Sequence, residues 1–76
     1  MKWKISMNKK EVGQFVHKTR KLLKISQMRI SKKTNISQAK ISKVEAGKLE
    51  LSVTEFEKIL KAFGLRITIG VINDEV

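Results

Sequence analysis

Four stretches of the chain repeat apolar residues at the spacing of a helical face, and a fifth switches to strict alternation. In the first, Val12, Phe15, Val16, Thr19, Leu22 and Leu23 recur at i, i+3, i+4 and i+7, which predicts a helix over about 9–23 with that stripe facing the core. Asn8 stands at its N-cap, and Glu11, three residues on, can return a bond to the Asn8 amide as in a capping box. A second helix is predicted from the Ser26 cap to about Thr34 with Ile30 inward. Asn35, tolerant of the left-handed conformation, ends it. Ser37 caps a third, which runs to about Ala46 and stops at Gly47. After a polar loop over 48–51, Ser52 and Glu55 form a second capping box. Phe56, Ile59, Leu60 and Phe63 then make the stripe of a fourth helix closed by Gly64.

The period then changes. Leu65, Ile67, Ile69 and Val71 alternate with Arg66, Thr68 and Gly70, the pattern of a β-branched strand over 65–72, and residues 73–76 form an acidic tail. Trp3, Ile5 and Met7 also alternate with polar residues. Seven residues are compatible with an N-terminal arm, a strand or a disordered start ahead of a domain that begins at Met7. A lone strand leaves backbone donors and acceptors unpaired, so the 65–72 segment demands a partner, either residues 3–7 of its own chain or the same strand of a second copy.

Composition sharpens this into one small domain with a polyanion-facing side. The chain has 76 residues, no Cys and one His, so neither disulfides nor a metal cluster supplement its modest core, and self-association is a natural source of stability. The net charge of +10 is unevenly distributed. Residues 2–48 hold 14 of the 17 Lys and Arg against Glu11 and Glu45 alone, whereas residues 49–76 carry Lys58, Lys61 and Arg66 against five acids. Nucleic acid is the usual partner of such a basic face, with a merely solvated lysine surface as the alternative. No apolar run is long enough to span a bilayer and none reads as a signal peptide, so a cytoplasmic, nucleoid-associated protein is expected.

The pieces Ser26-Gln27, Ser31, Ile36-Ser37 and Ile41-Ser42-Lys43-Val44-Glu45-Ala46-Gly47-Lys48, at their mutual spacing and followed by the Ser52 helix, resemble the Cro/Xre-type helix-turn-helix family across residues 11–64. That family includes the lambdoid phage repressors. The chain departs from it at the turn, where Thr34-Asn35 replaces the frequent Leu-Gly. The resemblance implies a mainly α fold, a lambda-repressor-like domain of four to five helices. A C-terminal strand directly after the fourth helix is similar to the HipB-type antitoxins. That likeness implies a homodimer paired through Leu65, Ile67, Ile69 and Val71, with the N-terminal stretch as a possible further strand.

Carried onto this sequence, the family pattern makes Gln38, Ala39, Lys40 and Lys43 the base-contacting residues of the third helix, lying in the major groove of double-stranded DNA. Gln pairs with adenine, Lys donates to guanine, and the Ala methyl meets a thymine methyl, whereas Ala39 and Lys40 serve equally well as a spacer or a phosphate contact. Gln27, Arg29, Ser37, Ser42 and Lys48 become the phosphate contacts, although Ser37 serves first as a cap and helix filling is the alternative for Ser42. Arg20 and Glu45 become a structural ion pair. The implied function is a transcriptional repressor that binds a near-palindromic operator as a dimer, in the HipB-type case the antitoxin of a toxin–antitoxin pair. The alternatives are a module that mainly neutralises a toxin protein, or a stand-alone phage- or plasmid-type regulator. No cofactor or metal is expected. No grouping of His, Cys, carboxylates or a Gly-rich loop supplies an enzyme's nucleophile, base and oxyanion roles. Trp3 is the single candidate for stacking RNA bases.

Overall fold

A computed structural model of the chain describes residues 7–65. Four helices follow one another: α1 (Lys9–Leu22), α2 (Gln27–Thr34), α3 (Gln38–Glu45) and α4 (Val53–Ala62). Each begins where a side chain replaces the partner that its first amides lack. Asn8 and Glu11 close a reciprocal capping box on α1, and Ser52 and Glu55 close another on α4. The Ser26 hydroxyl accepts from the Arg29 N–H and that of Ser37 from the Lys40 N–H, both at 3.1 Å.

The helices end in left-handed residues. After α3 and α4 these are Gly47 and Gly64, with φ of 75° and 78°. In both cases the next residue's N–H reaches back five positions, Lys48 to the Lys43 carbonyl and Leu65 to that of Leu60. The same five-position return closes α1, from the Ile25 N–H to the Arg20 carbonyl, but its left-handed residue is Lys24, with φ 56°. A lysine there bears the Cβ strain that glycine avoids. Between α2 and α3, Asn35 adopts φ 63° and Thr34 is buried. The Thr34 hydroxyl donates to the Ile30 carbonyl at 2.7 Å and accepts from the Ile36 N–H at 3.3 Å, so the departure from Leu-Gly is a hydrogen-bonded turn.

All four helices meet over one core: Val12 and Val16 of α1, Ile30 of α2, Ile36 of the turn, Ile41 of α3, and Phe56, Ile59, Leu60 and Phe63 of α4. Phe15 packs edge-on against Phe56 with ring centroids 6.0 Å apart. Ile30, Ile41 and Ile59 are wholly buried, and each such side chain contributes about 1.5–3 kcal/mol relative to an exposed one.

The buried arc of α1 differs from the expected stripe. It runs through Val12, Gly13, Val16 and Arg20, while Leu22 is 81% exposed and Leu23 45% exposed. The reason is the joint between α1 and α3. A Cβ at Gly13 would overlap the Val44 carbonyl oxygen, so the missing side chain lets the α3 backbone lie directly on α1 and turns the inner face toward Gly13 and Arg20. Leu65 follows α4 with 42% exposure. Ile67, Ile69 and Val71, with the rest of the expected strand beyond Leu65, the tail, and residues 1–6 of the N-terminal stretch, lie outside the described residues.

Candidate nucleic-acid interface

The helix α3 shows two faces with opposite chemistry. Ile41 and Val44 are fully buried, whereas Gln38, Ala39, Ser42 and Lys43 are exposed and fall together at i, i+1, i+4 and i+5. The four exposed residues make a polar strip starting in the first turn. Two side chains with free donors, Gln38 and Lys43, stand about 1.4 turns apart on it.

The ends of α2 and α3 carry a further asymmetry. The capping boxes of α1 and α4 put Glu11 and Glu55 in their first turns, which offsets the positive end of each helix dipole. The first turns of α2 and α3 contain no acid and rely on neutral serine caps, so their positive ends stay uncompensated by their own residues. Arg29 and Lys48, exposed at the start of α2 and just past α3, add charge on the same segments.

Behind the strip, Glu45 fastens α3 to α1 and α2 at once. Its side chain is 4% exposed, and it accepts from Arg20 Nε at 2.8 Å, Arg20 Nη2 at 3.0 Å, Gln27 Nε2 at 3.1 Å and His17 Nδ1 at 2.9 Å. Since a carboxylate can only accept, the His17 Nδ1 carries its hydrogen in this contact. Arg20 spends a third donor on the Ile25 carbonyl at 3.0 Å. No buried side-chain nitrogen or oxygen among the described residues lacks a partner. Burial opposes ionisation of Glu45, but the hydrogen bonds from Arg20, then His17 and Gln27, outweigh it and hold the carboxyl below its ordinary range. The same bond to Glu45 holds the Arg20 guanidinium above its ordinary value despite burial.

Two expected contact residues therefore have partners inside the protein. Gln27 directs one amide hydrogen to Glu45, leaving its second outside that bond. Lys40, expected on the base-reading strip, is half-buried and donates to Glu55 Oε2 of α4 at 2.5 Å. Ser37 is occupied as the cap of α3, and Ser42 is exposed on its outer face. The His17 and Lys40 contacts link residues 28 and 15 positions apart, so no local spacing announces them. Gly13 did leave a signal, a helix-weakening residue inside a strong helical pattern.

A capped helix presenting a polar strip, set across a tight left-handed turn from a preceding helix and backed by a compact core, is the construction of a helix-turn-helix reader. The family model described as Helix-turn-helix (HTH_3, the Cro/C1 type) matches residues 16–69, and the chain belongs to that family. No curated protein and no solved structure gives a match to the chain. In class the protein is thus a DNA-binding transcriptional regulator of the Cro/Xre kind. Among the described residues, no helix is long and apolar enough to cross a membrane, and no group of three or more His, Cys, Asp or Glu could hold a metal ion.

Proposed function

We propose that the protein is a sequence-specific repressor that lays α3 in the major groove of double-stranded DNA. The observation that carries this is the exposed strip of Gln38, Ala39, Ser42 and Lys43 on a helix whose opposite side is locked by Glu45. In this reading Gln38 pairs with adenine, Lys43 donates to guanine and Ala39 meets a thymine methyl, each good bidentate pair giving about 1–3 kcal/mol of discrimination. Phosphates are met by the second amide hydrogen of Gln27, by Arg29 and Lys48, by the acid-free ends of α2 and α3 with the Ser37 cap beside the latter, and by Ser42 one turn further along α3. The test is selection of bound sequences from a random DNA pool at low salt. Enrichment of one motif is expected, with an affinity that falls by about 0.9 logarithmic units per tenfold rise in salt for each phosphate neutralised. An unenriched pool would defeat the reading.

The active form is proposed to be a homodimer on a near-palindromic operator with half-sites about 10 bp apart or a multiple of it. The alternation of Leu65, Ile67, Ile69 and Val71 supports this, because a strand of that pattern needs a partner edge. Footprints of one asymmetric half-site bound by monomer would contradict it. The HipB-like order of helix and strand further supports an antitoxin that represses its own operon. Co-purification of a toxin from native extract, encoded in the adjoining reading frame, is the expected result. Recovery of the chain without such a partner would favour a stand-alone regulator.

A further inference from the structure

We infer that Glu55 sets the DNA specificity of this protein by holding the Lys40 ammonium against the N-terminus of α4 and so withholding it from the reading strip. The inference rests on the proposed DNA-reading role of α3. Lys40 is the third residue of α3, in the first turn, where a side chain of that helix would come nearest the bases. The helix has one other cation, Lys43, so a free Lys40 would double its capacity to donate to guanine.

Glu55 is not a mobile surface acid. Its carboxylate divides its oxygens between two tasks: Oε1 accepts the Ser52 N–H at 3.0 Å as part of the capping box, and Oε2 accepts the Lys40 ammonium. The box holds the glutamate independently of the lysine, so the cost in side-chain freedom of forming the pair falls mainly on the lysine. The side chains are 35% and 25% exposed, which places the pair partly out of bulk water and lessens screening. Lys40 and then the Ser52 amide hold the Glu55 carboxyl below its ordinary range. Since α3 packs on α1 and α2 while α4 packs on α2, this pair ties the reading helix directly to α4. A lysine neutralised within the protein releases no counterion from DNA and reads no base.

The substitution Glu55→Gln removes the charge and retains the capping box, because a glutamine oxygen still accepts the Ser52 amide. Random-pool selection and salt titration on the full chain, its E55Q and K40Q forms and the double variant test the inference. The wild-type and K40Q forms are expected to enrich the same motif with the same salt slope. E55Q is expected to gain preference for guanine at one further base pair per half-site, up to about fivefold, with a salt slope steeper by up to about 0.9 per subunit. The double variant is expected to return to the wild-type pattern. A K40Q form that loses selectivity at one position, or an E55Q form with the wild-type motif and slope, overturns the inference. A DNA-free measurement keeps the pair itself accountable. Followed by NMR, the Glu55 carboxyl should titrate at higher pH in K40Q than in the wild type, and an unchanged midpoint also overturns the inference. Failure of the wild-type chain to enrich any sequence takes down the DNA-reading proposal and this inference together, whereas the other adverse results remove this inference alone.

Discussion

Two ion pairs anchor the same short helix, and they differ in nearly every physical respect. Glu45 of α3 is almost wholly enclosed and collects donors from Arg20, His17 and Gln27, on two other helices. Lys40, at the opposite end of α3, meets Glu55 in a pair that solvent still reaches. A buried charge that loses its partner is left unsatisfied in a low-dielectric site, whereas an exposed one falls back on water. The first pair is therefore a condition of the fold, and the second can be exchanged without threatening it. A helix that must be rigidly placed yet present an adjustable surface needs both kinds.

The largest effect should come from breaking the enclosed pair on one side only. Glu45→Ala strands the Arg20 guanidinium and removes the acceptor of His17 and Gln27, and a loss of about 3–5 kcal/mol in denaturant unfolding is expected. Removing both charges, as R20M with E45L, should cost less than either single change, and a larger loss in the double variant would contradict the picture of a desolvated pair. The same carboxylate sets an acid limit. Its folded pKa lies below its unfolded value, so below the ordinary carboxylate range the unfolded state binds more protons and stability rises with pH. That contribution is fully present above about pH 5 and is lost as pH falls through the folded value. Stability measured from pH 7 down to pH 2 should fall less in E45Q than in the wild type.

Gly13→Ala tests the backbone side of the same joint. The added methyl meets the Val44 carbonyl, and despite the better helix propensity of alanine a net loss of about 1–3 kcal/mol is expected, measurable as a lower unfolding midpoint. Lys24→Gly should act in the other direction, raising stability by up to about 1 kcal/mol by relieving the left-handed lysine that closes α1. Smallest of all, Lys40→Met should shift stability by no more than about 1 kcal/mol. A loss matching that of Glu45→Ala would erase the distinction between the two anchors.

The helix boundaries and caps were readable along the chain because their causes are local. Asn8 with Glu11, Ser52 with Glu55, and the stops at Asn35, Gly47 and Gly64 each act across three to five residues, and the structure ends its helices at those positions. Apolar period was a poorer guide at the end of α1. Leu22 and Leu23 continue the expected stripe, yet periodicity does not say where the neighbouring helices stop covering it. At the interface, the family pattern marked Gln38, Ala39, Lys40 and Lys43 as base contacts, and of these Gln38, Ala39 and Lys43 are exposed together. It put Lys40 in the same group, since nothing within one helix reveals a carboxylate fifteen residues away.

By itself the sequence determined the helices, their caps, the basic bias of residues 2–48 and the family pattern, because hydrogen bonds to nearby amides and helical period are short-range properties. Tertiary structure alone decided that Leu22 faces water, that His17 and Gln27 share the Glu45 carboxylate, and that Lys40 is drawn to α4. Those outcomes depend on how closely α1 and α3 approach over Gly13 and on which charges then meet, and distances between helices are set by the whole packed core.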